Sequence, residues 1–391
     1  MKIRRLILAA LIIGSGVFAT NYGGAARLLF YVALMIPVAL LAYSFYVRER
    51  FKIYQTVGSK TVVKGETTSY CFILRNEDIL TYSDIKVSFL EGRSSIKGVD
   101  FSKSYLLAPG ERFERHTELV CRYRGEYKIG IDEISITDFF GIFTLRSTSP
   151  STIIMRVYPR VAELEKLSIC PPDIDAKNIL FLRNATESEP DPETRNYING
   201  DSIRMINWKA SAKKQELLTR RRIAMTEPEV VFVMDMRRCD TDELSRIIIE
   251  DKIIEAALAV AKYFLRKSKP VTIVYELSTK VVIHRILTHA DFNDFYSCCA
   301  DITFNGRFSP DEIIMSYRLA ETHGNFLIVA SHTVTSEMST AMLNVAVSGN
   351  ISAILCINDD CDEYESMIDG RVNFKKIALD DEIENALGGA M

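Results

Sequence analysis

The sequence predicts a three-part chain: an N-terminal helical hairpin in a bilayer, an all-β sandwich, and an α/β domain built on a mostly parallel sheet. Three observations carry this reading. Two long apolar runs open the chain. Short alternating segments punctuated by glycine follow them. From Pro228 onward, apolar strands alternate with helical stretches. A chain of 391 residues, 48% hydrophobic and 25% charged, has length for two or three globular domains and no disordered bias.

The hairpin is assigned to residues 1–53. Spans at about residues 6–23 and 28–47 have the length needed to cross a hydrocarbon core. Lys2, Arg4 and Arg5 precede them, and Arg48, Arg50 and Lys52 follow, with only Arg27 between. Cations at both outer ends predict that both ends face the cytoplasm, which makes this a multi-pass protein of the cell membrane. The rival is a cleaved signal peptide ending near "VFA"; the second apolar run argues against it. Residues 1–55 carry net charge +6, which leaves −9 on the remainder. An acidic soluble part is not the footprint of a nucleic-acid binder. The lipid bilayer is the expected partner of the basic end.

Residues 54–160 read as β-structure. "DIKVSFLEG" sets Ile85, Val87 and Phe89 against polar neighbours, and Gly125, Gly130 and Gly141 break later runs. Six or seven short strands without an amphipathic helix predict an immunoglobulin-like sandwich. Residues 161–227 read as a connection, rich in turn formers at "NATESEPDPETRN". Residues 228–391 read as the α/β domain. "EVVFVMD" is a buried-type strand, and "LSRIIIEDKIIEAALAVAKYFLRKS" is a long helix. "PVTIVYEL" and "KVVIHRI" form a hairpin, and "NFLIVAS" and "ISAILCIN" are further strands. The acidic tail after Asn358 reads as solvated surface.

The chemistry-bearing residues are few. Ligands of open α/β sheets bind at the carboxyl ends of strands. There a von Willebrand factor A domain places an Asp-x-Ser-x-Ser run whose oxygens hold Mg²⁺. Here the run is Asp235-Met236-Arg237-Arg238-Cys239. Arg237 and Cys239 stand in the serine places, so the site reads as degenerate and no metal or other cofactor is expected. The eight cysteines form no CxxC pair, and five histidines form no HExxH. Reduced, partly buried thiols are expected, with Cys298 and Cys299 in a helix core. No P-loop and no GxSxG is present, so the chain is not expected to be an enzyme.

The chain resembles domain-of-unknown-function family 58, membrane-anchored proteins associated with MoxR-type AAA+ ATPases. "RGEYKIG…DFFGIF" over residues 124–143 is similar to that family's Arg-Gly-x-Tyr run and Asp-Pro-Phe-Gly turn, with Phe139 in the place of proline. "RNYINGDSIRMINWKASAKKQELLTRR" resembles its signature through Arg195, Tyr197, Gly200, Asp201, Arg204, Trp208 and Lys209. The resemblance implies a non-enzymatic adaptor or assembly factor whose ATPase partner hydrolyses ATP in trans, acting on a client the sequence does not name. A metal-dependent adhesion-type binder at Asp235 and a cryptic cysteine enzyme are the alternatives. The signature itself reads two ways. Its Trp and Arg could face a partner; or Asp201 caps a helix and Trp208 packs the segment onto the α/β domain. The usual burial of tryptophan favours the second.

Overall fold

The computed structural model describes residues 2–90, 92–98, 103–148, 152–170, 194–198, 206–220, 229–317 and 325–388. The chain forms two compact units, residues 1–160 and 161–391.

The first unit opens with α1 (Lys2–Tyr22) and α2 (Ala25–Arg50), each long and apolar enough to cross a membrane. The turn between them is shorter than the sequence suggests. Gly23 and Gly24, both at positive φ, make it alone, a conformation that costs glycine little. The buried stripe of α2 includes Ala26, Ala33, Leu40 and Val47. This seven-residue spacing keeps one seam of a helix facing one neighbour. Most of the remaining apolar surface is exposed, Leu6, Ile7, Leu28 and Leu29 among it.

Among the described residues, eleven short strands follow, more than the six or seven expected. They are β1 (Lys52–Val57), β2 (Thr61–Val63), β3 (Thr67–Arg75), β4 (Tyr82–Phe89), β5 (Ser94–Ile96), β6 (Ser104–Leu107), β7 (Arg112–Cys121), β8 (Gly125–Ile129), β9 (Ile131–Thr137), β10 (Thr144–Thr148) and β11 (Ile153–Tyr158). Three sheets result, in the orders β1-β3-β7-β5, β10-β9-β4-β6 and β2-β11-β8. Tyr70, Phe72, Leu74, Ile85, Leu119, Ile129 and Met155 share one core. The alternation seen in the sequence therefore points one side of most of these strands inward.

The hairpin is tied to these sheets at its outer ends. Val47 lies in the β core, and the Tyr43 hydroxyl donates to the Thr81 carbonyl at 2.7 Å. The turn over residues 138–143 receives the other end. Arg4 Nη1 donates to Phe140 O at 3.2 Å and Arg5 Nε to Ile142 O at 2.8 Å. Asp138, 2% exposed, holds this turn by accepting from the amides of Phe140, Ile142 and Phe143. Phe139 is thus tolerated without a proline's fixed φ, and its ring lies 4.9 Å from that of Tyr43. Gly141 has φ +67°, and a Cβ there would collide with the Arg4 guanidinium.

The second unit is built on a six-stranded sheet. Its strands are β14 (Val230–Met234), β15 (Val271–Leu277), β16 (Lys280–Ile286), β17 (Phe326–Ser331), β18 (Ile351–Ile357) and β19 (Asn373–Ile377). The order is β16-β15-β14-β17-β18-β19. All neighbours are parallel except β15 and β16, the hairpin that the sequence signals. β19 lies in the acidic tail that composition alone assigned to surface. β14 shows why both sheet faces are covered. Val230, Phe232 and Met234 join one core, and Val231 and Val233 join the other. The long helix Glu243–Arg266, capped by Asp242, packs on the first face through Ile253, Ala257 and Val260. Met338 and Met342 of the helix Ser336–Val347 pack on the second.

The start of the expected connection belongs to this unit's core. Ala162, Leu164, Leu167 and Ile169 are buried in it, and Ser168 N donates to Leu387 O at 2.7 Å. Turn-rich composition hid four apolar residues spaced to meet the sheet's helices.

Candidate functional site

The sheet order reverses at β14, whose neighbours β15 and β17 lead in opposite directions. Open α/β sheets place ligands at such a switch point, outside the strand carboxyl ends. Asp235 follows β14, and Ser331 ends β17. Asp235 is 0% exposed. Arg237 donates to it three times: its amide to Oδ1 at 3.1 Å, Nε to Oδ1 at 2.9 Å and Nη2 to Oδ2 at 2.8 Å. Ser331 Oγ donates to Oδ2 at 2.6 Å. A carboxylate offers about four lone-pair positions, and these four bonds take them up. The pair raises the Arg237 pKa through its bond to Asp235. The guanidinium therefore lies where a metal would take carboxylate oxygen. Cys239 is buried, and that burial pushes its thiol pKa up.

His332 completes the cluster, with Nδ1 at 3.6 Å from Asp235 Oδ2. Burial lowers its pKa, and this outweighs the upward pull of Asp235.

Glu276, near the end of β15, is a site residue that the motif reading missed. It is 1% exposed, and its Oε2 accepts from the amides of Arg307 and Phe308 at 2.6 and 2.7 Å. It fixes the loop that crosses the strand ends, where Gly306 N donates to Met236 O at 2.8 Å. A Cβ at Gly306 would press on both Glu276 and Met236. Only an acid at the end of an apolar strand hints at this role in the sequence.

The signature segment forms a small self-contained unit. β12 (Thr194–Asn196) pairs antiparallel with β13 (Leu218–Arg220), so Arg195 lies opposite Thr219. Tyr197 N donates to Leu217 O and Asn207 N to Leu218 O, both at 2.8 Å. Between them runs a helix, Trp208–Lys214, capped by the Asn207 side chain. Ser211 is its buried residue. It receives Leu218 N–H on Oγ at 2.8 Å and so staples helix to strand. Gln215 ends the helix at φ 57°.

Trp208 is 62% exposed, which corrects the expectation that it packs the segment onto the α/β domain. Ser211 is the residue of this helix that is buried, while the indole at the first turn faces solvent. Lys209, Lys213 and Lys214 are exposed beside it. Gly200, Asp201 and Arg204 lie outside the described residues, as does the expected cap at Asp201.

The cysteines depart from expectation twice. Cys356, in β18, is bonded to Cys361, with Cα atoms 6.2 Å apart, so not every thiol is reduced. The turn after the strand brings the two together, a pairing that scattered spacing does not reveal. Of the adjacent pair, Cys299 is buried but Cys298 is exposed.

Residues 193–284 match the family described as "Protein of unknown function DUF58". No curated protein matches the chain. Among solved structures, the VWA domain of SpRpn10 is similar at 9% identity and a TM-score of 0.32, over 42% of this chain and 98% of that one. A C-terminal portion of alpha-2-macroglobulin from Escherichia coli is similar at 13% identity and a TM-score of 0.25, over 36% of this chain and 26% of that one.

Proposed function

We propose that this chain, a DUF58 protein over residues 193–284, is a membrane-anchored, non-enzymatic adaptor or assembly factor that works with a MoxR-type AAA+ ATPase. The observation that carries the reading is the exposure of Trp208 beside Lys209, Lys213 and Lys214. An indole in water loses apolar burial that a partner can restore, and tryptophan dominates interface hot spots. The cations beside it favour an acidic partner surface. The ATPase is named by the family resemblance, and it supplies the hydrolysis for which this chain has no motif.

The strand-end cluster supports a binding role without metal. An adhesion-type site needs oxygen ligands free to reach a cation, and Arg237 and Ser331 occupy those of Asp235. We read the α/β unit as a von Willebrand factor A-like domain with a degenerate site.

In this proposal α1 and α2 span the bilayer and the soluble units are cytoplasmic. The flanking cations support that orientation. The Cys356–Cys361 bond favours the opposite one, because disulfides persist mainly in oxidising compartments. Both its cysteines are 0% exposed, which shields the bond from reductant in either case.

The test is co-purification of the full chain from mildly solubilised membranes, comparing wild type with Trp208→Ala. An unchanged melting temperature with loss of the ATPase is expected, at a binding cost of at least about 2 kcal/mol. Retention of the ATPase by Trp208→Ala would refute this docking surface.

A further inference from the structure

We propose that Cys71, Glu114 and His116 on the β sandwich form a binding site for a zinc-class divalent cation, with one coordination position open to solvent. The site is separate from the strand-end cluster and from the signature segment, and the adaptor reading does not depend on it.

Strand register builds the constellation. β3 and β7 pair antiparallel with Cys71 directly opposite His116 and Ile73 opposite Glu114. Residues two apart on a strand share a face, so Glu114 stands beside His116 and diagonally across from Cys71. The three potential ligand atoms converge. His116 Nε2 is 3.0 Å from Glu114 Oε1. Cys71 Sγ is 3.7 Å from Glu114 Oε1 and 4.0 Å from His116 Nε2.

These separations are close to those a metal imposes. Tetrahedral zinc with ordinary sulfur, nitrogen and oxygen bond lengths holds its ligand atoms about 3.3–3.6 Å apart. Each pair therefore has to shift by about half an ångström or less. Thiolate, imidazole and carboxylate together are also a donor set that zinc takes.

The surroundings fit the same role. Arg112 Nη2 binds Glu114 Oε2 at 2.6 Å, which orients the carboxylate and leaves Oε1 on the ligand side. Outer-shell bonds of this kind set ligand direction. Cys71 is buried while Glu114 and His116 are exposed. The thiol thus forms the floor of the site and the other two its rim, with the fourth position toward water or a partner's ligand. Thr56 of β1 lies opposite Cys71 on its other side. Burial first, and then the neighbouring Glu114, push the Cys71 thiol up.

The experiment uses the full chain in detergent with Co²⁺ as the probe. The expected result is a sulfur-to-cobalt charge-transfer band in the near ultraviolet, displaced by Zn²⁺ and absent from Cys71→Ser. Zn²⁺ should also raise the melting temperature of wild type but not of Cys71→Ser. His116→Ala and Glu114→Gln, both at exposed positions, should weaken binding by at least about tenfold, the low end of what losing even an outer-shell partner costs. Cys298→Ser serves as the control and should leave the band in place. A wild type without the band, or a band that persists in Cys71→Ser, would overturn the site. Neither result would touch the Trp208 docking surface.

Discussion

The Arg237 guanidinium grips both carboxylate oxygens of Asp235, with Nε 2.9 Å from Oδ1 and Nη2 2.8 Å from Oδ2. The carboxylate is 0% exposed, whereas the arginine side chain keeps 25% of its surface in water. The anion therefore depends on the cation more than the cation depends on it. Arg237→Ala strands a buried charge and should cost about 3–5 kcal/mol. Adding Asp235→Ala should cost less than the sum of the two single changes, because contacting residues couple by about 0.5–3 kcal/mol. Denaturant melts of the three variants check this. Strict additivity would mean that the pair is not coupled. In wild type, Mg²⁺ should bind no better than millimolar by calorimetry, for want of free oxygens.

The staple in the signature segment gives a local prediction. Ser211→Ala leaves the buried Leu218 amide without its acceptor, a loss of about 1–3 kcal/mol. The effect should appear as faster hydrogen exchange at Leu218 and Ser211, while exchange in β14 stays unchanged. Unaltered exchange at Leu218 would show that the helix and strand hold together without this bond.

Both outer ends of the helical hairpin meet the β sheets of the first unit, through Arg4 and Arg5 at one end and Tyr43 and Val47 at the other. The amino terminus and these sheets should therefore lie on one side of the membrane. A membrane-impermeant maleimide offered to intact cells should leave the exposed Cys298 unlabelled, and opening the cells should label it. Labelling from outside would place the soluble units in the exterior compartment, where the Cys356–Cys361 bond is at home.

His332 gives a pH dependence. Burial holds its folded pKa below the unfolded value of about 6.5, against Asp235 and Asp240, which raise it, and with Arg237, which lowers it. Folding thus favours the neutral ring. Its contribution is complete above about pH 6.5 and is lost as pH falls toward the folded pKa. His284, also lowered by burial, acts in the same sense. Urea melts between about pH 7.5 and pH 5.5 should show falling stability, less steep in His332→Gln. An equally steep fall in that variant would assign the effect elsewhere.

Local pattern alone determined part of the secondary structure of this chain. The two apolar helices, the β14 strand and the β15–β16 hairpin follow from runs and periods written within a few residues, because backbone geometry repeats on that scale. The replacement of serine by Arg237 and Cys239 was equally visible. The tertiary structure decided whatever depends on residues far apart in the chain. Burial of Ala162 and Leu164 required the sheet's helices to be in place, and β19 required β18 beside it. The average burial of a residue type does not decide Trp208, which is exposed at the first turn of its helix although Ser211, three residues on, is buried. Cys71 and His116 are 45 residues apart, and Asp235 and Ser331 are 96 apart. Strand register and sheet order bring such pairs together, and no local spacing in the sequence records either one.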